Sequence, residues 1–262
     1  MSLPNIYYLI SNMPIREDTV ELLGLPVITG GREAVLELIC SRVLAGLATQ
    51  VLTINPEMVL AMRTDPAVAD LMSRAEAVVA DGVGIQLAAR LLGKRDVQRY
   101  PGVELALDLL ERLPGKRVFL LGSRPGVADA AALWIEGRMP QVNIAGCHDG
   151  YFAAGKDVEM LSMIRDAGTD ILIVGMGSPR QEQFIDSARL GCGAKLMVGV
   201  GGSLEVYAGV KQRAPQWVRS TGMEWLHRLT QDGSRLGRIG SLPRFVNLVM
   251  REYVGKLNDQ VC

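Results

Sequence analysis

Four short segments carry side chains that can do chemistry together: Thr53-Ile-Asn-Pro-Glu57, Asp81-Gly82, Arg99-Tyr-Pro-Gly102 and Gly177-Ser-Pro-Arg-Gln-Glu182. Each stands where an apolar, strand-like run ends and a turn or helix begins. In open α/β folds those ends line the crevice that takes ligands. The set pools a carboxylate (Asp81), two small polar groups (Thr53 and Asn55), a guanidinium (Arg99), an amide (Gln181) and glycine-opened backbone. A carboxylate within reach of an acceptor hydroxyl can take its proton. A guanidinium and backbone N–H groups can hold a charged leaving group beside it. In outline that is a sugar-transfer site. Taken singly, each residue has a plainer role. Asp81 could be a helix N-cap, Thr53 and Asn55 a turn and cap ahead of Pro56, Arg99 a surface residue, and Gln181 and Glu182 caps after Pro179. The functional reading is joint, because all of them fall on one edge of one sheet.

Glycines follow the later strands: Gly122-Ser123, Gly146, Gly175/Gly177 and Gly199/Gly201/Gly202. Glycine lets backbone N–H groups approach an anion, and a following helix adds its positive end. Successive glycines on neighbouring strands favour a nucleotide cleft. Gly122, Ser123, Tyr151, Gly177, Pro179, Gln181 and Gly201 are the candidate nucleotide-sugar contacts, Tyr151 through the turn His148-Asp149-Gly150 that precedes it. The dinucleotide fingerprint is incomplete. Gly175-Met-Gly177 has Arg180 where a third glycine belongs, and Gly199-Val-Gly201 has Leu204. With no Walker lysine motif either, this weighs against NAD(P), FAD and P-loop chemistry. Neither His148 nor His227 has a partner at ligand spacing, His148 reads as structural, and no Asp-x-Asp is present. No metal and no other cofactor is therefore expected, and arginines and backbone donors must meet the leaving phosphate.

The elements that must position these residues alternate. Gly31 to about Gly46 has helical apolar spacing, Val51–Ile54 and Ala77–Ala80 read as buried strands, and helices are predicted over Ile85–Leu92 and about Val103–Leu113. Arg117–Leu121, Gln141–Ala145, Asp170–Val174 and Ala194–Val198 are four further short strands, separated by helical stretches near 126–137, 155–167 and 180–189. Strand–helix alternation with continuously apolar strands predicts an α/β fold, a Rossmann-like, mostly parallel sheet covered by helices. The predicted core spans residues 1–210, and 211–262 form a basic helical C-terminal appendage.

Composition is that of an ordinary soluble globular protein, 262 residues with 48% apolar and 21% charged, and the length suits one large domain or one domain with an appendage. No run approaches the roughly 18 uninterrupted apolar residues of a membrane span, and no basic region precedes Tyr7–Ile10 as a secretory signal would require. Cys40, Cys147, Cys192 and Cys262 lie far apart, which suits a reduced cytoplasmic setting. The net charge of zero is unevenly spread. Residues 211–262 carry nine Lys/Arg against four acids, leaving the tail at +5 and the rest at −5. A basic end on an acidic body points to an anionic ligand or surface there, or to a solvated helical face. In Ser241–Val261, Leu242, Phe245, Val249, Tyr253 and Leu257 make an apolar stripe with Arg244 and Arg251 off it. Such a helix could pack on the body, join a partner protomer or lie on an anionic bilayer.

At these residues the chain resembles the WecG/TagA/CpsF family of bacterial glycosyltransferases. The likeness runs from about residue 20 to 240. It is carried by Thr53–Glu57, Ala80-Asp-Gly-Val-Gly84, Arg99–Gly102, Gly177–Glu182, Gly199-Val-Gly-Gly-Ser203, Arg213-Ala-Pro215 and Gly222-Met-Glu-Trp-Leu-His-Arg-Leu229. The resemblance implies an inverting, metal-independent transferase. Such enzymes move an N-acetylmannosamine-type sugar from UDP to a polyprenyl-diphosphate-linked N-acetylglucosamine. It implies that Asp81 is the base, that Thr53 and Asn55 line the same pocket, that Arg99 and Gln181 serve around the substrates, and that Glu205 lies near the nucleotide. It further implies a C-terminal appendage that closes over the site, brings Arg228, Arg235 and Arg238 to the diphosphates, attaches to the inner face of the cell membrane and takes part in a monomer–oligomer balance. Nucleic acid is not an expected partner. Related members use other donors, such as UDP-glucose or UDP-glucuronate. From other classes, an NAD(P) oxidoreductase and a non-catalytic nucleotide-binding module are the rivals.

Overall fold

The computed structural model describes residues 18–153, 155–216, 218 and 240–259. The described residues open with a hairpin, β1 (Thr19–Leu22) and β2 (Leu25–Ile28), turned at Leu23-Gly24, both with positive φ. Two consecutive positive-φ residues match the right-handed twist of a two-residue hairpin. Then follow α1 (Arg32–Leu44), β3 (Thr49–Ile54), α2 (Pro56–Thr64), α3 (Pro66–Ser73), β4 (Ala77–Ala80), α4 (Val83–Leu91), α5 (Gly102–Arg112) and β5 (Arg117–Gly122). The second half adds α6 (Val127–Arg138), β6 (Asn143–His148), α7 (Asp157–Asp166), β7 (Ile171–Gly175), α8 (Arg180–Ala188), β8 (Leu196–Gly199), α9 (Ser203–Tyr207) and α10 (Ser241–Asp259).

The eight strands form one sheet in the order β1-β2-β4-β3-β8-β7-β5-β6, antiparallel only between β1 and β2. The α/β fold with a mostly parallel sheet is thus as the alternation predicts. Although the strands read as continuous apolar runs, their residues alternate between faces. Val51, Val79, Leu120, Ile173 and Val198 join α1, α5, α6 and α9 in one core, while Leu52, Ile54, Val78 and Ala80 face α2, α3, α4 and α10. Phe119, Leu121, Leu172 and Val174 pack with α7 and α8. Helices on both faces account for strands without a polar side.

Three local differences from the sequence expectations have physical causes. The β6 strand lies two to three residues later than Gln141–Ala145, because Val142 donates its N–H back to Met139 in a turn. Gly146 extends the strand instead of ending it, since its Cα faces the Phe119 ring where a Cβ would lie 2.8 Å from it. The apolar stripe of α10 splits. Phe245 and Val249 are buried in the core beside α2 and α4, while Leu242 and Leu257 stay exposed together with Val246, Met250 and Val254.

Candidate active site

Because the seven strands β2–β8 run parallel, the loops after them open on one edge of the sheet, the carboxyl edge where α/β proteins bind ligands. A cleft of about 1190 Å³ runs along it. That exceeds the roughly 300–1,000 Å³ usual for one small ligand. Its walls include Thr53, Asn55, Asp81, Arg99, Ser123, Tyr151, Gly177, Pro179, Gln181, Gly201 and Glu205. The residues singled out from the sequence are therefore brought together, and only Gly122 among the described ones sits just behind the wall. Arg228, Arg235 and Arg238 lie outside the described residues.

On the β3/β4 side, Asn55 is the N-cap of α2. Its Oδ1 accepts the N–H groups of Glu57 and Met58 at 2.9 and 3.1 Å, which leaves its amide NH2 for a ligand. Thr53 is buried, and its hydroxyl donates to the Gly199 carbonyl at 2.9 Å, tying β3 to β8. It can still accept from a ligand. Asp81 is not a helix cap, since Gly82 holds the N-cap position of α4. Its backbone N–H donates to Ile54 at 2.8 Å, and the half-buried residue faces the cleft directly after β4. The N–H of Tyr100 donates to Ala80 at 2.8 Å, so Arg99 runs alongside the same strand end. The Tyr100 hydroxyl bonds Asp108, and burial pushes its pKa above the ordinary phenol range, with Asp108 adding to the shift.

On the β5/β7/β6 side the backbone is drawn in tightly. Gly122 has φ +137, and a Cβ there would sit 2.4 Å from the Gly175 carbonyl oxygen, so no other residue fits. Ser123 follows at φ +63, an uncommon conformation for a non-glycine residue. Its N–H donates to Gly175 at 3.0 Å and its carbonyl accepts from Gly150 at 2.9 Å, stitching three strand ends together. Tyr151 is exposed, and its N–H donates to Asp149 Oδ1 at 2.7 Å. The loop after β7 reaches α8 through the cis peptide Ser178–Pro179.

Gln181 and Glu182 open α8, and both are buried. Gln181 Oε1 accepts the N–H of Gly201 at 2.9 Å, and its Nε2 donates to Glu182 Oε1 at 2.7 Å. Burial raises the Glu182 carboxyl above the ordinary carboxylate range, against smaller lowering effects from Gln181 and Ser178. Glu205 pairs with Lys211 at 2.5 Å.

Sequence reasoning missed three arginines that line the cleft: Arg124, Arg180 and Arg244. Arg180 lies over the Phe152 ring at 5.3 Å, in the first turn of α8 where a dinucleotide fingerprint would carry glycine. Arg124 and Arg180 adjoin motifs already singled out, so adjacency was the available signal. Arg244 required knowing that α10 begins at the cleft. Among the described residues no group of three or more His, Cys, Asp or Glu side chains could hold a metal ion.

The arrangement sets a carboxylate and small polar groups at one end of a long cleft, and backbone donors with arginines at the other. Two curated N-acetylglucosaminyldiphosphoundecaprenol N-acetyl-beta-D-mannosaminyltransferases, from Staphylococcus aureus strains MRSA252 and MW2, are each 37% identical to the chain over 198 residues, covering 75% of this chain and 77% of theirs. Residues 20–259, which hold the sheet, the cleft and α10, match the Glycosyl transferase WecG/TagA/CpsF family, and the chain belongs to that family.

Proposed function

We propose that this glycosyltransferase moves an N-acetylmannosamine-type sugar from UDP to the N-acetylglucosamine of a polyprenyl-diphosphate acceptor. The observation that carries the reading is the single cleft with Asp81 and Arg99 over β4 and β3 and the glycine-opened loops over β7 and β5. Its length suits two substrates end to end, since strands about 4.8 Å apart place the β4 and β5 ends roughly 19 Å from one another.

In this reading Asp81 accepts the proton of the acceptor hydroxyl as that oxygen attacks the anomeric carbon from the face opposite UDP. The new C–O bond forms as the bond to the β-phosphate oxygen breaks, inverting the anomeric centre. UDP leaves with the electron pair, and its charge is met by Arg124, Arg180 and the N–H groups of the loops after β5 and β8, without a metal. Glu205 and Tyr151 border the nucleotide, and Arg228, Arg235 and Arg238 join the acceptor's diphosphate from the tail. The site works at the inner face of the cell membrane. In support, no described helix is long and apolar enough to cross a membrane, while α10 carries the exposed stripe Leu242, Val246, Met250, Val254 and Leu257.

The test is UDP release from UDP-N-acetylmannosamine with a short-chain lipid-diphosphate N-acetylglucosamine. Acceptor-dependent release is expected, with Asp81→Asn lowering kcat at least about a thousandfold while UDP affinity stays within about threefold. An Asp81→Asn protein that retains most activity would remove Asp81 from the base role.

A further inference from the structure

The end of the cleft beyond Asp81 changes character. Past Asn55 the wall is built from Leu60, Ala61 and Thr64 of α2, Leu87 of α4, and Leu242 of α10. At 1.5 Å per residue, Pro56 to Thr64 carries the cleft about 12 Å along α2, away from the nucleotide end. The three helices meet because α4 has Gly84 at the junction. A Cβ there would lie 2.8 Å from Pro56 and 3.7 Å from the Phe245 ring. Leu87 stands one turn after Gly84, and Leu242 one turn before Phe245, so the two leucines flank this junction at the cleft's rim. They are 55% and 37% exposed. One further turn along each helix stand Leu91 and Val246, 41% and 52% exposed. Solvated leucines on either side of this junction, both on the wall of a polar cleft, form an apolar surface suited to a hydrocarbon. Arg244, exposed and on the cleft wall, stands two residues from Leu242, where polar cleft gives way to apolar rim.

We infer that the acceptor's lipid chain leaves the active site between α4 and α10, its first isoprene units lying on Leu87 and Leu242 and its diphosphate beside Arg244. The assignment rests on the polyprenyl-diphosphate acceptor proposed above. One ligand satisfies all three features. A polyprenyl diphosphate sugar carries a sugar hydroxyl, two phosphates and a hydrocarbon chain, the three chemistries that Asp81, Arg244 and the leucines bring to one cleft. A free nucleotide or a soluble oligosaccharide would leave the leucines in water.

The experiment uses two acceptors that share the diphosphate-N-acetylglucosamine head, one carrying a farnesyl chain kept below its aggregation concentration and the other a methyl group, in solution without membranes. Full-length enzyme is compared with Leu87→Ser, Leu242→Ser and Arg244→Ala. Each serine variant should raise KM for the farnesyl acceptor about five- to tenfold, the scale expected when a partly exposed apolar side chain no longer covers the hydrocarbon. The methyl acceptor KM and the donor KM should stay unchanged. Leu91→Ser, one turn further out, should give a smaller rise. Arg244→Ala should raise KM for both acceptors alike. Serine variants that treat the two acceptors equally, or that are defective only when vesicles are added, would overturn the chain path and leave the transfer reaction standing. If wild-type enzyme transfers sugar to neither acceptor, the proposed reaction fails, and the path with it. The leucines are exposed, so the variants retain the core that folds the chain.

Discussion

Gln181 Oε1 accepts the backbone N–H of Gly201 at 2.9 Å, joining the first turn of α8 to the loop that follows β8. Its other end donates to Glu182 at 2.7 Å, so the amide is held at both ends in a buried position. Gln181 therefore shapes the loop after β8, which is proposed to meet the nucleotide. Gln181→Ala leaves a loop N–H without its partner and should lower stability by about 1–3 kcal/mol. It should also weaken UDP binding by at least about tenfold, with kcat/KM falling in parallel. Calorimetric titration with UDP checks this, and an unchanged affinity would show that the loop holds its shape without the amide.

The carboxyl of Glu182 is raised by burial, so the folded state keeps its proton at a pH where the unfolded chain has lost it. Stability then declines as pH rises from the ordinary glutamate value of about 4.3 towards the raised folded value, and levels off above it. Glu182→Gln lacks this dependence. Its stability relative to wild type should climb through that window in urea unfolding measured from about pH 4 to 8. A constant difference across the range would show that Glu182 is ionised in the fold.

Glu104 has the opposite sign. Burial alone would raise it, but bonds from Arg213 and Arg32 more than offset that and hold the carboxyl below its ordinary range. This contribution is present above the ordinary value and is lost as pH falls through the lowered folded one. Glu104→Gln should cost about 1.5–3 kcal/mol near neutral pH, the scale of hydrogen bonds to charged groups, with the difference shrinking on acidification. Arg213→Ala is expected to share most of the loss.

Arg124 and Arg180 line the cleft beside the loops after β5 and β7, the end proposed for the nucleotide. Replacing either by Ala should raise the donor KM about tenfold and lower kcat, since charge on departing UDP grows towards the transition state. Acceptor KM should stay within about twofold. Initial-rate kinetics with each substrate varied in turn separate these outcomes.

The two sides of α10 predict different losses. Phe245 is buried in the core with α2 and α4, and Phe245→Ala should destabilise by about 3–5 kcal/mol. Val246, next in sequence and half exposed, should tolerate Ser within about 0.5 kcal/mol. Thermal unfolding of both variants tests whether α10 is part of the folded body.

Much of this fold could be read in the chain because its parallel strands are short apolar runs with strong punctuation: Ala77–Ala80 ends at Asp81-Gly82, and Pro56 opens α2 behind its Asn55 cap. The hairpin Thr19–Ile28 is hidden in the sequence because Leu23 carries a positive φ without the Asn or Gly that usually announces it. The gathering of Thr53, Asp81, Arg99 and Gln181 was legible because parallel strands send all their loops to one edge. Their individual duties were not. That Thr53 donates to Gly199 depends on strands β3 and β8 becoming neighbours, although 146 residues separate the two, and that Gln181 accepts from Gly201 depends on α8 packing beside the loop after β8. Arg244 was hidden for the same reason, since an amphipathic helix does not declare which of its faces will find the body.

The order β4-β3-β8-β7-β5-β6 divides the loops by their place along the chain as well as in space. Residues 53–102, joined by the start of α10, supply one end of the cleft, and the loops after β5, β6 and β7 supply the other, with the loop after β8 between the two sets. With the substrates placed as proposed, residues 53–102 and the start of α10 meet the acceptor, and the loops after β5, β6 and β7 meet the donor. On that placement, exchanging residues 53–102 between relatives would alter acceptor choice while leaving the donor loops as they are.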